Sequence, residues 1–398
     1  MARYGVTAPV FLLLLAFTAS SAQSGSPSSA NGIGVIVDDN TGRSRGMGGA
    51  GMAIDDGWSL NRGNPALISS FKKPAYGIGF LYNRAVIKPQ EGSSLMYARS
   101  DPTLIRFVLP IYRGVSMGWG LAPVSRTDVK IALPSDPGDI SSDTVTSSGG
   151  VNLTSFELAG RYRAVRAGVA LNYYFGVIEE DWARDFHGAP GMNNTVDYIK
   201  RKYRGYGLTL GALARVTRRI SAGLGYTTPV SMNMSVHLWP ENRADLDILV
   251  EKRKTDLPAA WRLGVAAELS RRLSAAADFA FSRWSNAART EREKNMYTDT
   301  SSFGAGIRFI PSVSPTAGYL STIPLSAGFR TGTLYYKSWP KTKRIRETAV
   351  TFGVEIPFKS GSGGLITSCE LGKRGDANSN GWDETFVTVG ISLVGMIK

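Results

Sequence analysis

Two histidines, His187 and His237, and one cysteine, Cys369, stand among 398 residues. A metal centre needs clustered ligands, and two isolated histidines with a single thiol do not give that spacing. Nucleophilic hydrolysis needs a serine or cysteine beside a base that a third group orients. Ser235 is near His237, but strand residues alternate faces, and no local signature supports a triad; no catalytic residue is expected. Gly46, Gly48 and Gly51 spell G-x-G-x-x-G. That motif cradles a dinucleotide only between a buried strand and a helix. Arg43, Ser44 and Arg45 precede it instead, and no second βαβ unit follows. The expectation is a protein that is not an enzyme and carries neither a cofactor nor a metal.

The same glycines belong to a longer irregular stretch, Gly42 to Phe71. Small residues let a backbone fold tightly on itself. Met47, Met52, Ile54 and Trp58 give the stretch more apolar surface than a flexible linker uses. Asp55 and Asp56, if enclosed, need cationic partners; Arg262, Arg308 and Arg330 are the candidates. Asn64 precedes Pro65, so its backbone is held extended, and Pro65 fixes the next torsion. Together they make a rigid corner.

The rest of the chain must house this stretch. Arg3, the apolar run Pro9 to Phe17 and Ser20-Ser21-Ala22 read as a secretion signal cleaved after Ala22. No later run reaches the eighteen or so apolar residues of a membrane helix. After Pro74 the apolar residues recur with period two, and the membrane structure left is a closed barrel. Fourteen strands are expected, from Ala75–Ile87 to Thr385–Val394, an even number as bacterial barrels require. Their connections alternate between long ones, Ser125 to Val151 and His237 to Asp256 among them, and short ones; with the even strand number, this places both chain ends on the periplasmic side. Along Trp261 to Leu269, Arg262 and Glu268 face inward, while Leu263 and Val265 face lipid. The expected organisation is therefore a signal over 1–22, an N-terminal hatch over 23–73 and a transmembrane antiparallel β-barrel over 74–398. The formal charge of +14 suits lipid phosphates better than nucleic acid outside the cell, and one cysteine excludes a disulfide framework.

The Asp55-Asp56 pair leading into Asn64-Pro65-Ala66-Leu67-Ile68, then Phe71 and Pro74, resembles the N-terminal hatch of the FadL family. These are the long-chain fatty acid transporters of the bacterial outer membrane. Leu257-Pro258-Ala259-Ala260-Trp261-Arg262-Leu263-Gly264, the Arg271-Arg272 turn before Ala277, Asp278 and Trp284, and the closing stretches Glu370–Gly375 and Glu384–Leu393 are similar to their barrels. The resemblance implies passive uptake of long-chain fatty acids or other hydrophobic molecules by a monomer in contact with outer-membrane lipid and lipopolysaccharide. It implies a gate at Asp55, Asp56, Asn64, Pro65 and Ala66, and a ligand pocket among Met47, Met52, Ile54 and Trp58. It also implies an inward-kinked third strand that opens the wall at Gly118, Gly120 and Pro123. One departure is the end, Met396-Ile397-Lys398, where these barrels commonly carry an aromatic residue. The alternative is a non-transporting shuttle or assembly barrel of the type IX secretion kind, which shares the fold. Asp181 to His187 and Val236 to Pro240 put aromatic residues in outer loops, as a landing surface or as an upper girdle.

Overall fold

The computed structural model describes residues 26–397, apart from 39, 133–140, 188–189, 240–246, 315, 339–340 and 359–360. The signal and its cleavage after Ala22 lie outside the described residues. The wall runs β2 (Ala75–Pro89), β3 (Leu95–Tyr112), β4 (Val115–Pro123), β5 (Ser125–Ala132), β6 (Ser142–Tyr162), β7 (Val165–Asp185), β8 (Thr195–Arg215), β9 (Ile220–Thr227) and β10 (Val230–Trp239). It continues through β11 (Ile248–Leu257), β12 (Ala260–Glu268), β13 (Leu273–Ser282), β14 (Thr300–Phe309), β15 (Leu325–Lys337), β16 (Arg344–Pro357), β17 (Gly363–Asp376) and β18 (Trp382–Met396). A short β1 (Val35–Ile36) precedes them. All neighbours pair antiparallel, and β18 pairs with β2 from Trp382↔Pro89 to Met396↔Ala75, so the sheet closes. Segments β4 and β5, β9 and β10, and β11 and β12 are the halves of three interrupted strands, and the closed barrel has fourteen strands.

The period-two pattern sets the faces. Leu263 and Val265 are each 51% exposed, as is Phe352, and these rows can only be comfortable against lipid. Arg262, Gly264 and Ala266 take the other side. Replacing Val265 with arginine should cost about 2–4 kcal/mol if the position lies near the bilayer midplane. Urea titration in lipid vesicles reads this directly, and an unchanged midpoint would mean that this row does not face lipid.

The strands run past the expected ends. β6, β7 and β8 are 21 residues each, and β5 and β11 occupy stretches expected to be loop. Above the lipid both faces of a strand meet water, so the apolar alternation that marks a strand is lost there. Two interruptions have a covalent cause. By the register of β10 on β11 and of β9 on β12, Pro229 falls opposite Pro258. Neither can donate to the ladder.

Two elements of the segment before β2 pack on the wall. The short helix Gly42–Gly46 packs on β15 to β18, and the 3₁₀ turn Pro65–Ser70 packs on β4, β6, β7 and β8. β1 pairs with β5, Val35↔Arg126 and Ile36↔Ser125. The two elements thus contact different parts of the wall.

Candidate functional site

The inner segment is seated on bare backbone. A Cβ at Gly168 or Gly211 would enter the Asn64–Ala66 corner, one at Gly223 would strike the Met52 carbonyl, and one at Gly225 would strike the Gly63 carbonyl. On the other side, Gly304, Gly306 and Gly328 receive Met47 and Gly48 in the same way. Gly48 itself has φ 69°, where a side chain is strained. Asn64 is fully buried. Its side chain donates to the Met52 carbonyl at 2.9 Å and the Ala212 carbonyl at 3.0 Å, and accepts from the Ala66 amide at 3.1 Å. One residue thus ties the corner to the glycine-rich run and to the wall.

Charges fasten the seat. Arg43 reaches Glu355 of β16 at 2.9 Å and also pairs with Asp56. Arg308 of β14 holds the same Glu355 at 2.7 and 2.9 Å. Arg45 binds Asp38 at 2.5 Å and Glu370 of β17 at 3.3 Å. Arg330 of β15 bridges Glu370 and Glu347, and Arg374 bridges Glu347 and Glu384. Ser26 and Tyr97 donate to Glu384 at 2.6 and 2.8 Å. On the far wall, Arg106 binds Glu157 and donates to the carbonyls of Leu60 and Asn61, both at 2.8 Å. Each of these enclosed charges has the partner that burial demands.

Asp55 is held by Arg166 and by Arg215 at 2.9 Å, and Asp56 by Arg43. These are not the candidates the sequence offered, because the register that brings Arg166 and Arg215 to the inner end cannot be read from spacing. Arg308 joins Asp56 at two removes, through Glu355 and Arg43. Burial pushes the Asp55 carboxyl up, but the hydrogen bond and charge of Arg166, with Ser70 and Arg215, outweigh it and hold the group below its usual range.

Above this seat lies a cavity of about 350 Å³, within the usual size of a small-ligand site. Val35, Val37, Val124, Tyr174, Leu257 and Trp261 supply apolar lining, and Arg62 and Arg262 supply cations. Of the residues expected to form one pocket, only Met52 borders it. Met47 and Ile54 pack together near Ala50 and Ala276, and Trp58 packs with Leu60, Ile68 and Phe71. The four apolar residues serve different parts of the seat, a division that the sequence order hides.

Gly118, Gly120 and Pro123 lie on β4, which ends at Pro123. β3 pairs with β4 only from Ile105 onward. Beyond Pro123 the chain leaves β3, and β5 pairs instead with β6 and with β1 inside the barrel. Among the described residues no ladder joins the outer half of β3, Leu95 to Leu104, to β5. One ion pair, Arg126 to Asp101 at 3.4 Å, spans that interval.

His187 is an exposed residue with φ 52°. His237 is on β10 and not in a loop. Ser235 and His237 stand two residues apart, and positions two apart share a side. The expectation that alternation separates them is corrected here: Ser235 Oγ lies 3.3 Å from His237 Nε2.

The chain folds as a closed fourteen-strand antiparallel β-barrel with exposed apolar rows, and part of its N-terminal segment packs against glycines of the wall. The chain belongs to the BamG family, whose model matches residues 6–394. No curated sequence matches it. Among solved structures it is similar to the toluene transporter TbuX of Ralstonia pickettii, with 16% identity, 89% of this chain and 97% of that chain covered, and a TM-score of 0.58. A FadL homologue of Pseudomonas aeruginosa gives 13% identity, 92% and 100% coverage and a TM-score of 0.61. The toluene transporter TodX of Pseudomonas putida gives 15%, 91% and 99%, and 0.60. The FadL-like fold is thus present at low sequence identity, and these neighbours are named as transporters or their homologues rather than as enzymes.

Proposed function

We propose that the chain is an outer-membrane channel for passive uptake of small hydrophobic molecules, with long-chain fatty acids as the substrate class. The observation that carries this reading is the continuity of cavity and wall gap. Val35, Val37 and Val124 line the cavity, and the same residues stand where β5 leaves β3. A molecule that enters from outside meets an apolar cavity that also counts Arg62 and Arg262 among its lining residues. It then leaves sideways between β3 and β5 into the bilayer. The fastened inner segment is the floor of this route, so nothing has to pass through it. The neighbouring barrels named for toluene and for FadL support the class of cargo.

Closing the gap tests this. Cysteines placed at Asp101 and Arg126, in a Cys369→Ser background, are to be joined by a short thiol crosslinker. Uptake of a labelled long-chain fatty acid should fall at least tenfold and return when a cleavable linker is cut. Uptake that is unaffected by full crosslinking would overturn the lateral route. The tight glycine seat favours a second reading, a non-transporting shuttle or assembly barrel. In that case purified protein should carry a protein partner and no apolar ligand.

A further inference from the structure

Ser235, His237 and Asp247 form a second constellation, on the outside of the wall. Met232 and Met234 of β10 are buried toward the lumen, so Ser231, Asn233, Ser235 and His237 face outward. Ser235 Oγ lies 3.3 Å from Nε2 of His237. Nδ1 of His237 lies 2.5 Å from Oδ1 of Asp247. An ionised carboxylate only accepts, so the Nδ1 proton points to Asp247 and Nε2 is left to accept from the Ser235 hydroxyl. Trp239 stacks on the imidazole at 5.6 Å with 18° between planes, which fixes the ring. Nucleophile, base and orienting acid follow in order, an arrangement recognised by geometry and not by fold.

The surroundings indicate the substrate. Ser235 stands opposite Lys202 on β8 and Lys252 on β11, and Asn233 opposite Arg204 and Lys254. Among the described residues, Arg204, Lys252 and Lys254 have no ion-pair partner. Lys200 and Lys202 lie over Trp239 at 5.4 and 5.7 Å. The acids at the edges are engaged: Glu179 with Lys200 at 2.9 Å, Asp256 with Arg289 at 2.7 Å, and Asp247 with His237. Height gives the rest. The outward row of Lys200, Lys202 and Arg204 continues down β8 as Tyr206, Leu208 and Leu210, all exposed. Tyr206 packs on Tyr173 at 5.0 Å, which marks the aromatic girdle. Four residues of a tilted strand rise about 10 Å, so Lys202 and its neighbour Ser235 stand at headgroup level.

We propose that Ser235, His237 and Asp247 are a hydrolytic site for acyl esters of anionic amphiphiles in the outer leaflet. Ser235 Oγ attacks the ester carbonyl carbon while Nε2 takes its proton, and the charge on the carbonyl oxygen develops between Lys202 and Lys252. Collapse breaks the ester C–O bond, and Nε2 gives the proton to the departing alcohol oxygen. Water then attacks the acyl-serine, loses a proton to Nε2, and Ser235 regains it as the carboxylic acid leaves. Water is the only co-reactant. The basic rim holds the phosphate of the amphiphile, and the girdle below holds its chains.

The full-length protein in detergent is the test material, with heat-modifiable migration as the check on folding. A fluorophosphonate probe should label the wild type, and labelling should vanish in Ser235→Ala and in His237→Ala. Fatty acid release from phosphatidylglycerol vesicles or from lipopolysaccharide should fall about 10³-fold or more in Ser235→Ala and at least tenfold in Asp247→Asn. Release from one of the two lipids identifies the headgroup source, and release from both leaves the class as stated. Lys252→Ala with Lys254→Ala should raise KM for the anionic lipid more than it lowers kcat. Absence of both labelling and release in folded wild type, or either of them surviving Ser235→Ala, would overturn the proposal. Equal release from neutral phosphatidylcholine would overturn its anionic part.

Discussion

Gly304→Ala combined with Gly223→Ala is expected to lower the stability of the folded barrel by about 2–6 kcal/mol, at about 1–3 for each overpacked site. The methyl at position 304 would land on the carbonyl of Gly48, and that at 223 on the carbonyl of Met52. Both obstacles are backbone, so no rotamer change relieves them, and the inner segment must shift as a unit. The two sites lie on β14 and β9 and touch different parts of that segment, so their costs should add to a first approximation. Gly160→Ala is the matched control, because a Cβ there meets open space. Urea midpoints in vesicles should separate the double variant from wild type and leave Gly160→Ala in place. An equal shift per substitution in both variants would mean that glycine matters for strand propensity and not for seating.

That seat was only partly legible in the sequence. The glycines of the inner segment were visible, but their counterparts in the wall were not. Gly168, Gly211, Gly223 and Gly304 lie on four different strands, and only the register brings them to one surface. The alternation of Trp261 to Leu269 is matched by exposed Leu263 and Val265 and by Gly264 against Met52, because unlike surroundings on the two faces of a strand enforce period two. Outside the bilayer that constraint lapses, and β5, β11 and the upper halves of β6 to β8 went unread. Asn64-Pro65 was legible as a corner because its restriction is local. The partners of Asp55 were not, because Arg166 and Arg215 are more than a hundred residues away in the chain and reach it through the closed topology. Ser235 and His237 carried a local signal, spacing of two on a strand, but Asp247 joins them only through the pairing of β10 with β11 beside it.

Glu355→Gln should destabilise the barrel by about 3–5 kcal/mol, the usual cost of breaking a buried charge pair by removing one partner. Glu355 lies between Arg43 of the inner segment and Arg308 of the wall, at 2.9 and 2.7 Å. Its loss leaves two enclosed guanidinium groups facing each other, with Asp56 the remaining acid bound to Arg43. Asp143→Asn removes a partner of similar geometry from Arg184, 2.7 Å apart but more than half exposed on the arginine side, and should leave stability close to that of the wild type. The same pair of variants separates a fixed floor from a moving plug. If ligand must displace the inner segment, loosening it at Glu355 should speed uptake of a labelled fatty acid under conditions where the barrel stays folded. If the route is lateral, uptake should stay at the wild-type rate until the protein unfolds. The seat, with backbone against bare glycine on two walls and Arg43 clamped at both ends, favours the second outcome. A several-fold faster uptake in Glu355→Gln would show that the floor opens.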